Sequence, residues 1–289
     1  MTTLFRLFFC ILLLLLGMRS LRAEDFGPTA YRSLHAEQVD MTSSISVQEQ
    51  KTGMLPVVAS GTGLVTLWGV LEWDYFSRSP HAESEGWFGN STDDGGADKI
   101  GHAYSNYAFS HALAALYSHW GYPEDKAALY GAVSSFAIMG YMEVGDSFSS
   151  YGFSYEDLLA NGVGALLGYV LYTTPDLAEK LDFRWEYTPK FEQTDVFTDY
   201  ENSKYLLALK LNGFAAMKQS FLRHVEIHLG YYARNFGDPD EDRERNIYLG
   251  IGLNLTDLLY RHSWKKTATV LRYLQIPYTS INMANDLND

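Results

Sequence analysis

The sequence runs to 289 residues with 35 acidic and 22 basic side chains, a formal net charge of −13 and a pI near 5.0. A chain of this length can bury a substantial core, while so acidic a surface repels the phosphate backbone that nucleic-acid binding must neutralise with Lys and Arg, so no nucleic-acid partner is expected. Aromatic residues reach 15%, with 21 Tyr, 16 Phe and 6 Trp, an excess that points to an envelope or interface setting.

Residues 1–23 carry Arg6, then the apolar run Leu7–Leu16, and end in Leu21, Arg22 and Ala23, the layout of a secretory signal peptide cut near Ala23. The apolar core is too short to span a bilayer, which takes about 20 helical residues. The only cysteine, Cys10, lies inside that core and is not placed like the lipid-modified cysteine of a lipoprotein. Cleavage therefore leaves no disulfide, thiolate zinc site or cysteine nucleophile. It also removes three Arg and no acid, which takes the net charge from −13 to −16. The expected location is the periplasm or outer membrane of a Gram-negative bacterium.

Residues 24–51 are mixed and polar without a sustained period and read as an irregular arm. Four stretches then lack Asp, Glu, Lys and Arg: 52–71, 100–123, 127–142 and 158–175. Each is long enough for a helix of several turns, and the short connections between them favour antiparallel packing, which predicts a four-helix bundle-like domain over 52–178. Uncharged runs rich in small residues also describe packed transmembrane helices. The loops, however, carry Asp93, Asp94, Glu124, Asp125, Glu143 and Asp146 with few bases, against the basic cytoplasmic loops of inner-membrane proteins. This favours a bundle that is buried or leans on a membrane over a multi-span protein.

After Pro175 the period changes from helical to alternating, and 179–289 reads as a small antiparallel meander. Ile247, Leu249, Ile251, Leu253 and Leu255 alternate with Asn246, Tyr248, Gly250, Gly252 and Asn254. Val225, Ile227 and Leu229 alternate with Glu226, His228 and Gly230, Leu207, Leu209 and Leu211 with Ala208, Lys210 and Asn212, and a weak strand lies near 271–281. The fold class is α+β. Two orientations fit this code. The apolar face packs inward on the bundle, or it faces outward as in outer-membrane strands, although three or four strands fall short of the roughly eight of a closed barrel. The first is the expectation, and completion of a barrel by several copies is a further possibility.

The chemistry-bearing residues cluster in the helical region. Asp98, Lys99 and His102 open the second helix, Glu143 and Asp146 close the third, and Ser154 and Asp157 lead into the fourth, followed by Asn161 and Gly164. Asp98 with His102, Glu143 with Asp146 and Asp157 with Asn161 each share a helix face. The pattern Asp-Lys-x-x-His, Glu-x-x-Asp and Gly-Phe-Ser-x-x-Asp-x-x-x-Asn-x-x-Gly resembles the YfiM-like family of predicted periplasmic proteins and, more weakly, the VanZ-like membrane proteins. The likeness covers about 97–172 and implies an envelope location without supplying a reaction.

Structural roles account for many of these residues. Ser154 and Asp157 suit a helix cap, Asp98 suits the positive end of a helix, and Gly101, Gly162, Gly164 and Gly168 suit close helix approach. His102 suits a core histidine bonded to Glu143 or Asp157. The functional alternative makes His102, Glu143 and Asp157 acid and base partners, or makes His102, Glu143 and Asp146 ligands of a divalent ion. No cofactor fingerprint, phosphate loop or nucleophile elbow is present. The leading expectation is therefore a non-enzymatic envelope component that binds lipid, glycan or a protein partner. The competing one is a metal-dependent or acid/base envelope hydrolase centred on His102.

Overall fold

The computed structural model of the chain describes residues 52–189, 196, 198–237 and 240–288. The expected signal peptide, Cys10 and the 24–51 arm lie outside the described residues. Four long helices stand where the uncharged runs predict them: α1 (Met54–Glu72), α2 (Ala97–His119), α3 (Glu124–Asp146) and α4 (Tyr155–Thr173), followed by the short α5 (Pro175–Ala178). Each boundary has a local cause. Gly121 at φ 78° supplies the left-handed residue after α2, and Glu124 and Asp125 sit at the positive end of α3. Ser154 Oγ caps α4 by accepting from the Asp157 backbone N–H at 3.2 Å.

The fold is α+β, with this helical region followed by strands. β1 (Leu181–Tyr187), β2 (Ser203–Lys210), β3 (Val225–Arg234) and β4 (Glu244–Leu253) form a meander. Helices α6 (Leu255–Arg261) and α7 (Lys265–Val270) come next, then β5 (Leu274–Gln275) and β6 (Ser280–Asp286). The six-stranded sheet runs β5-β1-β2-β3-β4-β6, antiparallel except for β5 on β1. The chain divides into a sheet unit, Phe88–Gly101 with Lys180–Asp289, and a helical unit of residues 52–87 with His102–Glu179.

Within the helical unit, packing depends on missing side chains. A Cβ on Gly164 of α4 would lie 2.0 Å from the Ala103 carbonyl oxygen of α2, and one on Gly131 of α3 would lie 2.5 Å from that of Ser110. Polar side chains bridge helices at this short range. His111 Nε2–H donates to the Gly168 carbonyl at 2.9 Å, Ser135 Oγ donates to Asn106 Oδ1 at 2.6 Å, and Tyr117 and Ser134 share a bond of 2.8 Å. Helices α1 and α3 are long and apolar enough to cross a membrane by length and composition. Leu55, Leu64, Leu67, Val70 and Leu71 of α1 are exposed.

In the sheet unit the expected inward apolar face is reversed. Ile227, Leu229, Ile247, Leu249, Ile251, Leu253, Ile281 and Met283 are exposed, whereas Asp182, Arg184, Lys210, Glu226, His228 and Asn246 are buried. The reason is mutual pairing of the charges. Arg184 donates to both carboxylate oxygens of Glu226 at 2.6 and 3.0 Å, to Asp182 at 3.1 Å and to Gln275 at 3.0 Å. Lys210 and Arg272 meet Asp182 at 2.7 and 3.2 Å, and His228 Nε2 lies 2.9 Å from Glu226. Among the described residues six strands are present rather than three or four, because β1 and the two-residue β5 complete one edge.

Topology also bends the sheet. β5 and β6 occupy opposite edges, five strand spacings apart, which is about 24 Å in a flat sheet at about 4.8 Å per spacing. Gln275 and Ser280 are nevertheless joined by five residue steps, reaching at most about 18 Å. The sheet must therefore curl toward closure, with its polar face inside.

Two substitutions test these constraints. Gly164→Ala is expected to destabilise the chain by about 3 kcal/mol, because the clash is with backbone and not with a movable side chain. Asp182→Asn removes the carboxylate shared by Lys210, Arg184 and Arg272 and is expected to cost about 3–5 kcal/mol. Chemical denaturation followed by near-UV circular dichroism reads both, and unchanged midpoints would show that neither contact matters.

Candidate functional site

Three helices of the helical unit bring predicted residues together. His102 lies near the start of α2, Glu143 in the last turn of α3, and Asp157 in the first turn of α4, with Asn161 one turn further. His102 Nδ1 is 3.4 Å from Glu143 Oε1, and His102 Nε2 is 3.8 Å from Asp157 Oδ1. Asn161 Nδ2 donates to the same Glu143 oxygen at 3.2 Å. Glu143, Asp157 and Asn161 are buried, and the His102 side chain is 14% exposed. One imidazole thus stands between two carboxylates, a different one at each ring nitrogen.

Asp146 sits beside this cluster. Burial pushes its carboxyl up to about 7, against a hydrogen bond with Tyr75 and with added repulsion from Asp157. The aromatic partner was not evident in the sequence. Tyr75 follows Asp74, at φ 44°, just beyond α1, and its ring fills a slot left by two glycines. A Cβ on Gly69 or Gly145 would come within 2.2 or 2.3 Å of that ring. The Tyr75 hydroxyl donates to the Met142 carbonyl at 3.0 Å, and burial raises its pKa well above the usual phenol value.

A second residue passed over in the sequence is Glu156, fully buried in the first turn of α4. It accepts from Ser84 Oγ at 2.7 Å, from the Gly86 backbone N–H at 3.3 Å and from Ser154 Oγ at 3.4 Å. Burial acts to raise its pKa, but these bonds outweigh it and hold the carboxyl below its ordinary value. Glu156 thereby ties the 84–86 loop to the helix that carries Asp157 and Asn161. The same loop is fixed upstream, where Ala82 bridges Phe153 and His81 N–H donates to the Ser147 carbonyl at 3.0 Å. A buried carboxylate next to a capping serine was the available signal.

Asp98 and Lys99 form their own ion pair at 2.6 Å within the sheet unit, with Asp98 in the first turn of α2. Beside them, a Cβ on Gly101 would lie 2.8 Å from the Tyr205 hydroxyl, so this glycine admits an aromatic side chain of β2. Among the described residues, His102, Glu143 and Asp146 do not bring three ligand atoms within 4.8 Å of one another. The two carboxylates nearest His102 also address opposite sides of its ring, so they do not converge with it on one point.

Residues 84–173 match the model of a family described as "Predicted periplasmic lipoprotein (DUF2279)", which spans Glu156, His102, Glu143, Asp146, Asp157, Asn161 and Gly164. The match covers under a third of the chain, over which the protein is similar to an uncharacterised periplasmic family. It does not separate the YfiM-like from the VanZ-like resemblance. No curated protein and no solved structure matches the chain.

The raised Asp146 pKa has a stability consequence. Between about pH 4 and 7 the folded carboxyl keeps a proton that the unfolded chain has lost, so stability falls as pH rises through that window and then levels off. Asp146→Asn should therefore raise the melting temperature at pH 8, by the equivalent of about 1–2 kcal/mol once partial exposure is allowed for, and leave it nearly unchanged at pH 4. Thermal melts of both proteins across this range would contradict the assignment if the two curves stayed parallel.

Proposed function

We propose that the chain is an exported, non-enzymatic component of the cell envelope that works by holding to a lipid surface, in the periplasm or at the outer membrane. The observation that carries this reading is the clamp on His102. Its buried Nδ1 faces Glu143 at 3.4 Å and its Nε2 faces Asp157 at 3.8 Å, so each ring nitrogen is directed at a carboxylate of the cluster itself. The cluster then serves to hold α2, α3 and α4 together through the Asn161–Glu143 bond and the close approach of His102 to both carboxylates.

The outside of the helical unit supports the lipid partner. Leu159, Val163 and Leu166 recur at helical spacing on α4 and are all exposed, and α1 presents Leu64, Leu67 and Leu71 likewise. A soluble bundle turns such stripes inward, whereas here they face out, and the inside mixes Gly, Ala, Ser, Asn and His with Tyr107, Tyr117, Leu113, Ile138 and Tyr172. Similarity to a predicted periplasmic family over 84–173 agrees with an envelope setting. The hydrolase reading keeps one supporting observation, the Asp146 carboxyl pushed up to about 7 by burial beside this cluster, since perturbed carboxyls gather at functional sites.

Fractionation of cells expressing the full chain tests the proposal. The protein is expected to sediment with membranes, to resist salt and carbonate washes and to need detergent for release, while His102→Gln and Glu143→Gln lower the melting temperature and leave that partition intact. Release by salt or carbonate alone would end the lipid-surface reading. A His102→Gln protein that kept its melting temperature but lost hydrolysis of an envelope lipid or glycan would put the hydrolase in its place.

A further inference from the structure

The outer face of the sheet carries a pattern that the helical unit does not explain. Leu181, Leu209, Ile227, Ile251 and Ile281 lie opposite one another across five strands. The next row on the same face is Phe183, Leu207, Leu229, Leu249 and Met283. No position in either row is charged or polar. Phe183, at the β1 end, is buried, and exposure grows toward β6, where Ile281 and Met283 are 83% and 82% exposed.

Aromatic residues mark the two ends of this aliphatic band. At one end the row Trp185, Tyr205, Tyr231 follows; its two tyrosines are buried, and the exposed aromatic at this end is Phe88, edge-on to Tyr231 at 5.5 Å. At the other end, Phe221 lies just before β3 and Tyr278 just before β6, and both are exposed, Tyr278 to 91%. From the Leu253 row to the Ile247 row the strands rise about 20 Å at about 3.3 Å per residue, close to the roughly 25 Å apolar band of lipid-facing sheets.

We propose that this outer face lies in the hydrocarbon of a membrane, with its aromatic ends at the headgroup levels. This deepens the lipid-surface reading, but it rests on different residues, in the sheet unit. The distribution of side chains selects lipid over a second copy of the chain. Protein interfaces place aromatic and Arg anchors at their centre and polar groups at the rim. Here the centre is aliphatic and the aromatics stand at the two ends, as in the girdles of membrane strands. The inside of the sheet agrees, because the charges that would otherwise meet solvent are paired behind this face, Asp182 with Lys210 and Arg184 with Glu226.

The test uses the full chain with Cys10→Ser, so that Leu249→Cys, Met283→Cys and Glu241→Cys can each carry a single environment-sensitive fluorophore. Proteins are mixed with vesicles of phosphatidylethanolamine and phosphatidylglycerol, with or without a quencher on the acyl chains. Labels at 249 and 283 are expected to shift to the blue and to lose at least half their emission to the quencher, while the label at 241 stays water-like. If vesicles bind but 249 and 283 stay water-like, the sheet proposal fails and the lipid-surface reading stands. If no vesicle binds, both fail. If 249 and 283 shift without vesicles and native mass spectrometry shows a dimer, a second copy covers the face and the proposal is overturned. Should labelling disturb the fold, the Leu249→Lys/Met283→Lys double variant provides the second reading. Its vesicle affinity should fall at least tenfold with its melting temperature in buffer unchanged, and equal affinity would overturn the proposal.

Discussion

Asp182 decides which way the sheet faces. This fully buried carboxylate meets Lys210, Arg184 and Arg272, and through Arg184 it is linked to Glu226, Gln275 and His228. Taking such charges out of water costs several kcal/mol each unless they answer one another at close range. Side chains in strands alternate with a period of two, so a one-residue slip would turn every member of the network outward and the aliphatic rows inward. Charges on β1, β2 and β3 pair in one register only. Fixing Asp182, Lys210 and Glu226 inside leaves Leu181, Leu209 and Ile227 no position but the outer face.

A related exchange holds the helical unit. Ser135, Asn106, His111 and Tyr117 bond across helices that glycine and alanine allow close together, so polar side chains link the inside. The motif residues then divide by task. Gly164 sets the distance between α4 and α2, Ser154 starts α4, Asn161 holds Glu143, and Glu156 anchors the loop in front. The His102 clamp follows from these placements. A histidine 3.4 and 3.8 Å from two carboxylates is a consequence of backbones brought nearly into contact at Gly164, and any change in that distance reaches the clamp directly.

Much of this was legible in the sequence for physical reasons. Uncharged runs bounded by Gly, Pro and acidic first turns located all four long helices, and period-two alternation located β2, β3 and β4. The convergence of His102, Glu143 and Asp157 followed from shared helix faces plus short connections. Direction was harder to read. Alternation tells that a strand has two unlike faces but not which of them meets solvent, and the ordinary preference for apolar interiors gave the wrong answer at Ile227 and Leu249. β1 was missed although Asp182, Arg184 and Glu186 alternate with Leu181, Phe183 and Trp185, because charged residues are rare in buried strands. Tyr75 lay beyond reach, since its slot is made by Gly69 and Gly145, which are 76 positions apart.

Curling and inversion of the sheet depend on one another. A flat sheet with a charged face would expose that face, and its pairs would be worth little in water. The short link from Gln275 to Ser280 forces the edges together and encloses the charges, where pairing is strong. Enclosure also shortens the open edge. Unpaired N–H and C=O groups in hydrocarbon cost several kcal/mol each, so a lipid-facing sheet tolerates little free edge. On the β1 side the edge strand is the two-residue β5, and on the other it is β6, which the link brings round toward it. The charge network is therefore what permits an apolar exterior, and the four residues between β5 and β6 are what permit the network.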